Sequence, residues 1–368
     1  MKSTSVFLFV FLLYLSHFKC DSRDIITSRN ILKNKRKTLV SAGQIFELGL
    51  FNTRSKDGKL RNYVGIWYRV SPKTIVWVAN RDRPIPVSDE ILAIGIDVDG
   101  NLKVLDSKKN SYFSTGLVSA SSSKRTANLY DSGNLVLIDE LSGKRLWQSF
   151  DNPTDTFLPG MNMDSALKLT AWRVTQEDPS TGDYTFRQNT ATKFEYNILS
   201  QKRGLHWKAS VSAKPFSSRE LPSLVGSMLT NFSFNTEQQY TPKLNKSPTD
   251  DVSSVPDFNY TRLLLNSSGE IQLYGWSNES TGWLQIWSEP QDPCDVNESC
   301  GKFGICNSGF MSRCKCLPGF DPDSPDEWTV GTCTDGCSRK SVRGCNKKSE
   351  FDTFLNFSTI NGKLCLHT

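Results

Sequence analysis

Residues 94–106 read I-G-I-D-V-D-G-N-L-K-V-L-D, and the pattern returns at 128–139 as N-L-Y-D-S-G-N-L-V-L-I-D. In both copies a turn dipeptide, Gly100-Asn101 or Gly133-Asn134, joins alternating apolar residues. Gly or Asn supplies the positive φ that a tight turn demands, so each copy reads as a β-hairpin. A matched pair of hairpins predicts a repeated β architecture.

The same short alternation runs on either side. Gln44 to Leu48, Tyr63 to Tyr68 and Thr74 to Ala79 are strands by composition, bounded by Gly58, Pro72 and the Pro84/Pro86 pair. Further on, Gly182 to Arg187, Phe194 to Ile198 and Arg262 to Leu265 repeat the signal, and Asn266-Ser267-Ser268-Gly269 turns the last of these into Glu270 to Tyr274. Residues 210–256 are rich in Ser, Pro, Asn and Thr and read as long surface loops. No run of helical period exceeds three turns, so the fold class expected is all-β.

Composition narrows the function. With 37% hydrophobic residues in 368, the chain can bury cores for two or three domains. The net charge of +6 is spread over 44 basic and 38 acidic residues, and the densest basic run, Lys33 to Lys37, holds four charges, so no nucleic-acid partner is expected. Lys2 followed by an uncharged stretch over 6–15 has the order of a secretory signal, with cleavage after Cys20 or Ser22. That stretch is too short to span a bilayer, and nothing later reaches the ~18 apolar residues of a membrane helix.

Export agrees with two further counts. Asn231, Asn245, Asn259, Asn266, Asn278, Asn297 and Asn356 each head an N-x-S/T sequon. Apart from Cys20, every cysteine lies between Cys294 and Cys365, which in an oxidising compartment reads as a disulfide-stapled module. Spacing alone leaves its connectivity open. A zinc site is the competing reading, but paired C-x2-C knuckles are lacking and thiolate sites belong to reducing compartments, so neither metal nor cofactor is expected.

The stretches T-L-V-S-A-G-x-x-F-E-L-G (38–49), Y-V-G-I-W-Y (63–68), T-I-V-W-V-A-N-R-D-R-P-I (74–85), D-S-G-N-L-V-L (131–137) and L-W-Q-S-F-D-N-P-T-D-T-F-L-P-G-M (146–161) together resemble the bulb-type lectin domain of plant S-domain proteins. That family comprises S-locus glycoproteins and G-type lectin receptor-like kinases. The resemblance implies a signal peptide (1–22), a bulb-type lectin β-prism domain (23–150), a second lectin-like β domain, the S-locus glycoprotein region (151–290), an EGF-like module (291–337) and the start of a PAN/apple domain (338–368). The EGF-like likeness rests on C-x5-C-x5-C-x7-C-x-C from Cys294 and on C-G-x-F-G-I-C at 300–306. It implies pairing of Cys294 with Cys306 and Cys300 with Cys314, leaving Cys316 for Cys333 or Cys337. Nine cysteines from 294 onward is an odd number, and the PAN-like segment is short, so the chain is expected to be a receptor-like protein truncated before a membrane helix and kinase.

Sugar binding is the sharpest site hypothesis. Mannose-binding bulb lectins use Q-x-D-x-N-x-V-x-Y on a strand, pairing donors and acceptors with sugar hydroxyls. The corresponding positions here are Asp97, Asp99, Asn101, Lys103 and Leu105, so only Asp99 and Asn101 keep the pattern. The second copy reads Tyr130, Ser132, Asn134, Val136 and Ile138. Asp97, Asp99 and Asn101 are therefore a degenerate carbohydrate site, and the bland reading, turn chemistry, is the stronger. Trp276, Trp283 and Trp287 read as packing between domains rather than a binding platform. Catalysis has little to stand on: His17, His206 and His367 are the only histidines, and the G-x-G-x-x-G, H-R-D and D-F-G kinase signatures are missing.

The expected function is a secreted, non-enzymatic glycoprotein of the cell wall or apoplast. It would bind a peptide or protein ligand, or pair as a homo- or heterodimer with full-length S-domain receptor kinases. The alternatives are a mannose-binding lectin and a fragment of a receptor-like serine/threonine kinase.

Overall fold

The structure is a computed structural model that describes residues 25–29, 31–32, 38–54, 58–87, 91–118, 124–192, 194–211, 219–230, 260–278, 280–309, 313–326 and 334–339. The chain forms two compact units, Met1–Gln291 and Asp292–Thr368.

The first unit opens with β1 (Ile25–Thr27), β2 (Leu39–Val40), β3 (Phe46–Arg54), β4 (Leu60–Tyr68), β5 (Ser71–Val78), β6 (Ile85–Pro86), β7 (Ile91–Ile96), β8 (Leu102–Asp106), β9 (Ser111–Ser114), β10 (Arg125–Leu129), β11 (Leu135–Asp139) and β12 (Arg145–Gln148). They make three antiparallel sheets: β2-β3-β4-β5 with β6 against β4, β7-β8-β9, and β1-β10-β11-β12. Each sheet turns one side inward, as β8 does with Leu102 and Val104 and β10 with Ala127 and Leu129. Ile26, Phe46, Ile66, Leu102, Leu129 and Leu137 meet in one core, the three-faced lectin fold that the resemblance implies.

The repeat seen in the sequence is a repeat of hydrogen bonds. Gly100 N–H donates to Asp97 O (2.9 Å) and Asp97 N–H to Asn101 O (2.9 Å); Gly133 and Tyr130 do the same towards Tyr130 and Asn134 (2.9 and 3.0 Å). A third copy closes at 266–270, where Gly269 donates to Asn266 and Asn266 to Glu270 (3.2 and 3.0 Å). The glycines hold φ of 76°, 84° and 82°. The Gly-Asn dipeptide is thus not the turn itself. The turn is centred on the two residues before each glycine, and the glycine alone is left-handed, a bulge geometry that any Cβ would strain. The first two copies also end in an aspartate that caps the next turn. Asp106 Oδ1 accepts from Lys108 and Asn110 N–H, and Asp139 Oδ1 from Leu141 and Ser142 N–H.

The unit continues through β13 (Thr156–Phe157), β14 (Lys168–Val174), β15 (Asp178–Gln188), β16 (Glu195–Ser200), β17 (Gly204–Ser210), β18 (Arg219–Glu220), the helix α1 (Ser223–Leu229), β19 (Thr261–Leu265), β20 (Ile271–Ser277) and β21 (Gly282–Glu289). These form the sheets β14-β15-β16-β17-β18 and β13-β19-β20-β21. Their inward residues, including Leu169, Phe186, Tyr196, Ile198, Trp207, Leu263 and Leu273, belong to the same buried cluster as the lectin core. Helix α1 lies where sequence composition predicts loops. Val225, Met228 and Leu229 are buried at i, i+3 and i+4, a short period that a Ser-rich background hides.

In the second unit β22 (Gly304–Cys306) pairs with β23 (Cys314–Cys316), and β24 (Phe320–Pro322) with β25 (Cys337–Arg339). Disulfides join Cys294 to Cys306, Cys300 to Cys314 and Cys316 to Cys337, with Cα separations of 5.4, 5.5 and 5.8 Å. Cys333 and the PAN-like segment from 340 onward lie outside the described residues. Among the described residues no helix is long and apolar enough to cross a membrane.

Candidate functional site

The hairpin of β7 and β8 carries every position of the sugar pattern, and its own side chains occupy them. Lys103 Nζ lies 2.9 Å from Asp97 Oδ2 and 2.6 Å from Asp99 Oδ2. The ammonium's hydrogen bonds hold both carboxyls below the usual aspartate range and push Lys103 up. Asn101 is 5% exposed, and its amide is spent on the next strand connection. Its Oδ1 accepts from Leu117 N–H (2.7 Å) and the Thr115 hydroxyl (2.9 Å), and its Nδ2 donates to Leu117 O (3.3 Å). The turn is pinned from below by Arg125, whose Nη1 donates to Gly100 O (2.8 Å).

The second copy builds the same staple. Asn134 Oδ1 accepts from Phe150 N–H and the Ser149 hydroxyl (3.3 Å each), and Nδ2 donates to Gln148 Oε1 (2.9 Å). Both asparagines therefore tie residue i to residue i+16. Val136 is buried and Tyr130 is half-exposed at the turn. What survives of the mannose pattern is the part that fastens hairpins.

The titration of the first hairpin is testable. A depressed aspartate pKa contributes stability above the unfolded value of about 3.9 that is lost as pH falls through the folded value; a raised lysine contributes below about 10.4 and loses it above. The ion pairs are thus intact across neutral pH and dissolve in acid. Because the groups are partly exposed the stability at stake is small, and carboxyl NMR is the sharper probe. In Lys103→Met both aspartates are expected to titrate at higher pH than in the parent chain; unchanged midpoints would contradict the assignment.

The first unit also contains an ionic clamp that the sequence reading passed over. Arg81 donates three bonds to carbonyls of the following half: Nε to Pro179 O (2.9 Å), Nη1 to Thr170 O (3.0 Å) and Nη2 to Ala171 O (2.7 Å). Next to it, Asp82 accepts from Thr181 N–H (2.7 Å) and Thr181 Oγ1 (2.9 Å). Asp155 is buried nearby, and burial pushes its carboxyl up against the pull of Arg81 and Arg262. The Arg262 guanidinium is sandwiched 5.0 Å from the Tyr274 ring and 5.1 Å from the Trp283 ring. Trp283 in turn stands edge-on to Tyr68 (4.8 Å) and Trp276 (5.5 Å), so this aromatic cluster is already filled by the chain's own cation. The only earlier signal was the charged N-R-D-R run directly after an apolar strand.

His206 packs against the Tyr184 ring (4.7 Å); burial and then Arg203 lower its pKa, with Asp183 opposing. The sulfurs of Cys300, Cys306 and Cys314 cluster within 4.8 Å, but each is committed to a disulfide and is not a free thiolate.

The described sequons differ. The Asn266 side chain organises its own turn, accepting from Ser268 N–H, the Ser268 hydroxyl and Glu270 N–H while Nδ2 donates to Glu270 (3.0 Å). Asn278 and Asn297 are exposed, and neither side chain makes such bonds among the described residues. Mass spectrometry of the secreted chain is expected to find glycan at Asn278 and Asn297 and a lower occupancy at Asn266; full occupancy at Asn266 would show that the turn forms after modification. Asn231, Asn245, Asn259 and Asn356 lie outside the described residues.

Comparison with known proteins places this geometry. The D-mannose binding lectin family model matches residues 74–176, and the S-locus glycoprotein domain matches 223–324. A G-type lectin S-receptor-like serine/threonine-protein kinase of Arabidopsis thaliana is 40% identical over 97% of this chain and 41% of its own length. S-locus-specific glycoprotein BS29-2 of Brassica oleracea var. alboglabra is 34% identical over 92% of this chain and 76% of its own. The chain thus spans only about two fifths of the length of the kinase relatives it matches first. Among solved structures, the fetuin-binding two-domain lectin of Scilla campanulata aligns over 72% of this chain and 87% of that one, at 13% identity and a TM-score of 0.19, too loose a likeness to carry argument. With three quarters of an S-locus glycoprotein covered at this identity, the chain belongs to the S-domain family of S-locus glycoproteins and G-type lectin receptor-like kinases.

Proposed function

We propose that this chain is a non-catalytic extracellular recognition module that binds a peptide or protein ligand, or pairs with the ectodomain of a receptor-kinase relative, and that its lectin hairpin holds no mannose. The supporting observation is the occupied hairpin, in which Lys103 bridges Asp97 and Asp99 while Asn101 is buried in a staple. A neutral sugar would have to displace an ammonium at 2.6 Å from a carboxylate and offers no charge in return. The three disulfides agree with an oxidising, extracellular setting.

Sedimentation of the purified glycoprotein with the ectodomain of a full-length S-domain kinase is expected to give a complex, and a mannose-oligosaccharide array is expected to stay at background. Mannose retention that Asp99→Ala abolishes, with no complex in sedimentation, would replace this reading by the lectin alternative.

A further inference from the structure

The outer face of the sheet β14-β15-β16-β17 carries a row of like charges. The register places Lys168 opposite Arg187, Arg187 opposite Asn197, and Asn197 opposite Lys208. These four residues point away from the core, because their neighbours Leu169, Phe186, Ile198 and Trp207 are the buried ones. All three cations are exposed, and none has a hydrogen-bond or ion-pair partner among the described residues. Like charges directly across strands repel, so the sheet carries this row at a cost. An outside anion would remove that cost.

We propose that this row is a binding face for an acidic polysaccharide of the uronate class, laid across the strands. Neighbouring strands sit about 4.8 Å apart, so the row offers positive charge at that pitch over its first two positions and again at the fourth. A linked uronate chain presents one carboxylate per sugar ring, a repeat of similar size. An extended acidic peptide, with same-side carboxylates every ~6.8 Å, is the competing occupant that the poly-aspartate arm of the test separates. The next row along the strands, Thr170, Thr185, Leu199 and Leu205, is half-buried and supplies hydroxyls and apolar carbon beside the charges, which suits a pyranose. An anionic membrane is disfavoured because the row has no large exposed apolar side chain to insert. Glu195, two residues from Asn197 on β16, is a carboxylate beside the row and accepts from the Asn189 amide; against it the row sets three cations.

The test uses the full glycosylated chain in affinity electrophoresis through gels containing polygalacturonate, its methyl ester or poly-aspartate. Retardation is expected with polygalacturonate and not with the neutral ester, and it should weaken as salt rises. The triple variant Lys168→Gln, Arg187→Gln, Lys208→Gln is expected to weaken binding at least about tenfold, while the charge-matched control Lys108→Gln, Lys109→Gln, Lys144→Gln stays within about twofold. Asn197→Asp, which sets a carboxylate inside the row opposite Arg187 and Lys208, is expected to weaken binding. Equal losses in the two triples, retardation by the methyl ester, or tighter binding of poly-aspartate would each overturn the proposal. The result is independent of the mannose array, which probes the other half of the unit with a neutral sugar.

Discussion

Arg81→Ala is expected to destabilise the first unit by about 3–5 kcal/mol, the range for removing one partner from a buried, hydrogen-bonded charge cluster. Three carbonyls, of Pro179, Thr170 and Ala171, lose their charged donor at once. Each such bond contributes about 1.5–3 kcal/mol, and the sum is cut by water that can enter where the side chain was. Arg81→Lys should recover less than half, because one ammonium cannot reach three carbonyls that a planar guanidinium fork spans. The buried Asp155 also loses a neighbouring cation, which raises its carboxyl further. A group whose folded pKa is raised gives stability below its unfolded value and loses it as pH rises through the folded value, so the deficit of Arg81→Ala should be smaller at pH 4 than at pH 7. Asp155→Asn in the Arg81→Ala background should restore part of the loss at pH 7, a coupling that a double-mutant cycle reads directly. Denaturant unfolding followed by tryptophan fluorescence measures all five chains, the Asp155→Asn single variant included. A loss under about 1 kcal/mol, or full recovery by lysine, would show that the clamp is incidental.

This clamp also marks the boundary of what the sequence makes legible. The hairpin repeat is local: the apolar residues Leu102, Val104, Leu135 and Leu137, and a glycine at each turn, can be seen within a dozen residues. The family likeness then extends the fold to most of the chain. The bond from Arg81 to Pro179 joins residues 98 apart, and no local pattern encodes such a partner. The failed sugar site is an intermediate case. Substitution of the pattern at Asp97, Lys103 and Leu105 is visible in the sequence, but the reason Asn101 and Asn134 persist is not. Each amide reaches a segment 16 residues on, so the two asparagines look like binding residues on paper and are fasteners in space. The cationic row is hidden for the same reason. Lys168, Arg187 and Lys208 are scattered singly along the chain, and only strand register collects them.

Loss of the Cys300–Cys314 bridge through the double change Cys300→Ala, Cys314→Ala is expected to unfold the second unit at 37 °C and leave the first intact. The bridge closes 14 residues, and a loop of that size restricts the unfolded chain by about 3 kcal/mol. The larger point is what else these sulfurs do. The buried apolar cluster described in this unit consists of Cys300 and Cys314, with Cys306 packed against them, so the crosslink is also the core. Below about 40–50 residues a chain buries too little surface to hold a fold without such staples, and a deficit of 2–5 kcal/mol is of the order of the whole stability of a small module. Opening Cys316–Cys337 in the same way should loosen β25 from β23 and leave it held by its pairing with β24 and by the bond from Cys337 N–H to Lys302 O (2.8 Å). Amide hydrogen exchange separates these outcomes. Protection at Gly304, Cys306 and Cys316 should vanish without the Cys300–Cys314 bridge, while protection in β3 and β4 stays at its parent level. Retained protection across β22 and β23 would mean that hydrogen bonding and packing outside the sulfur cluster hold the module.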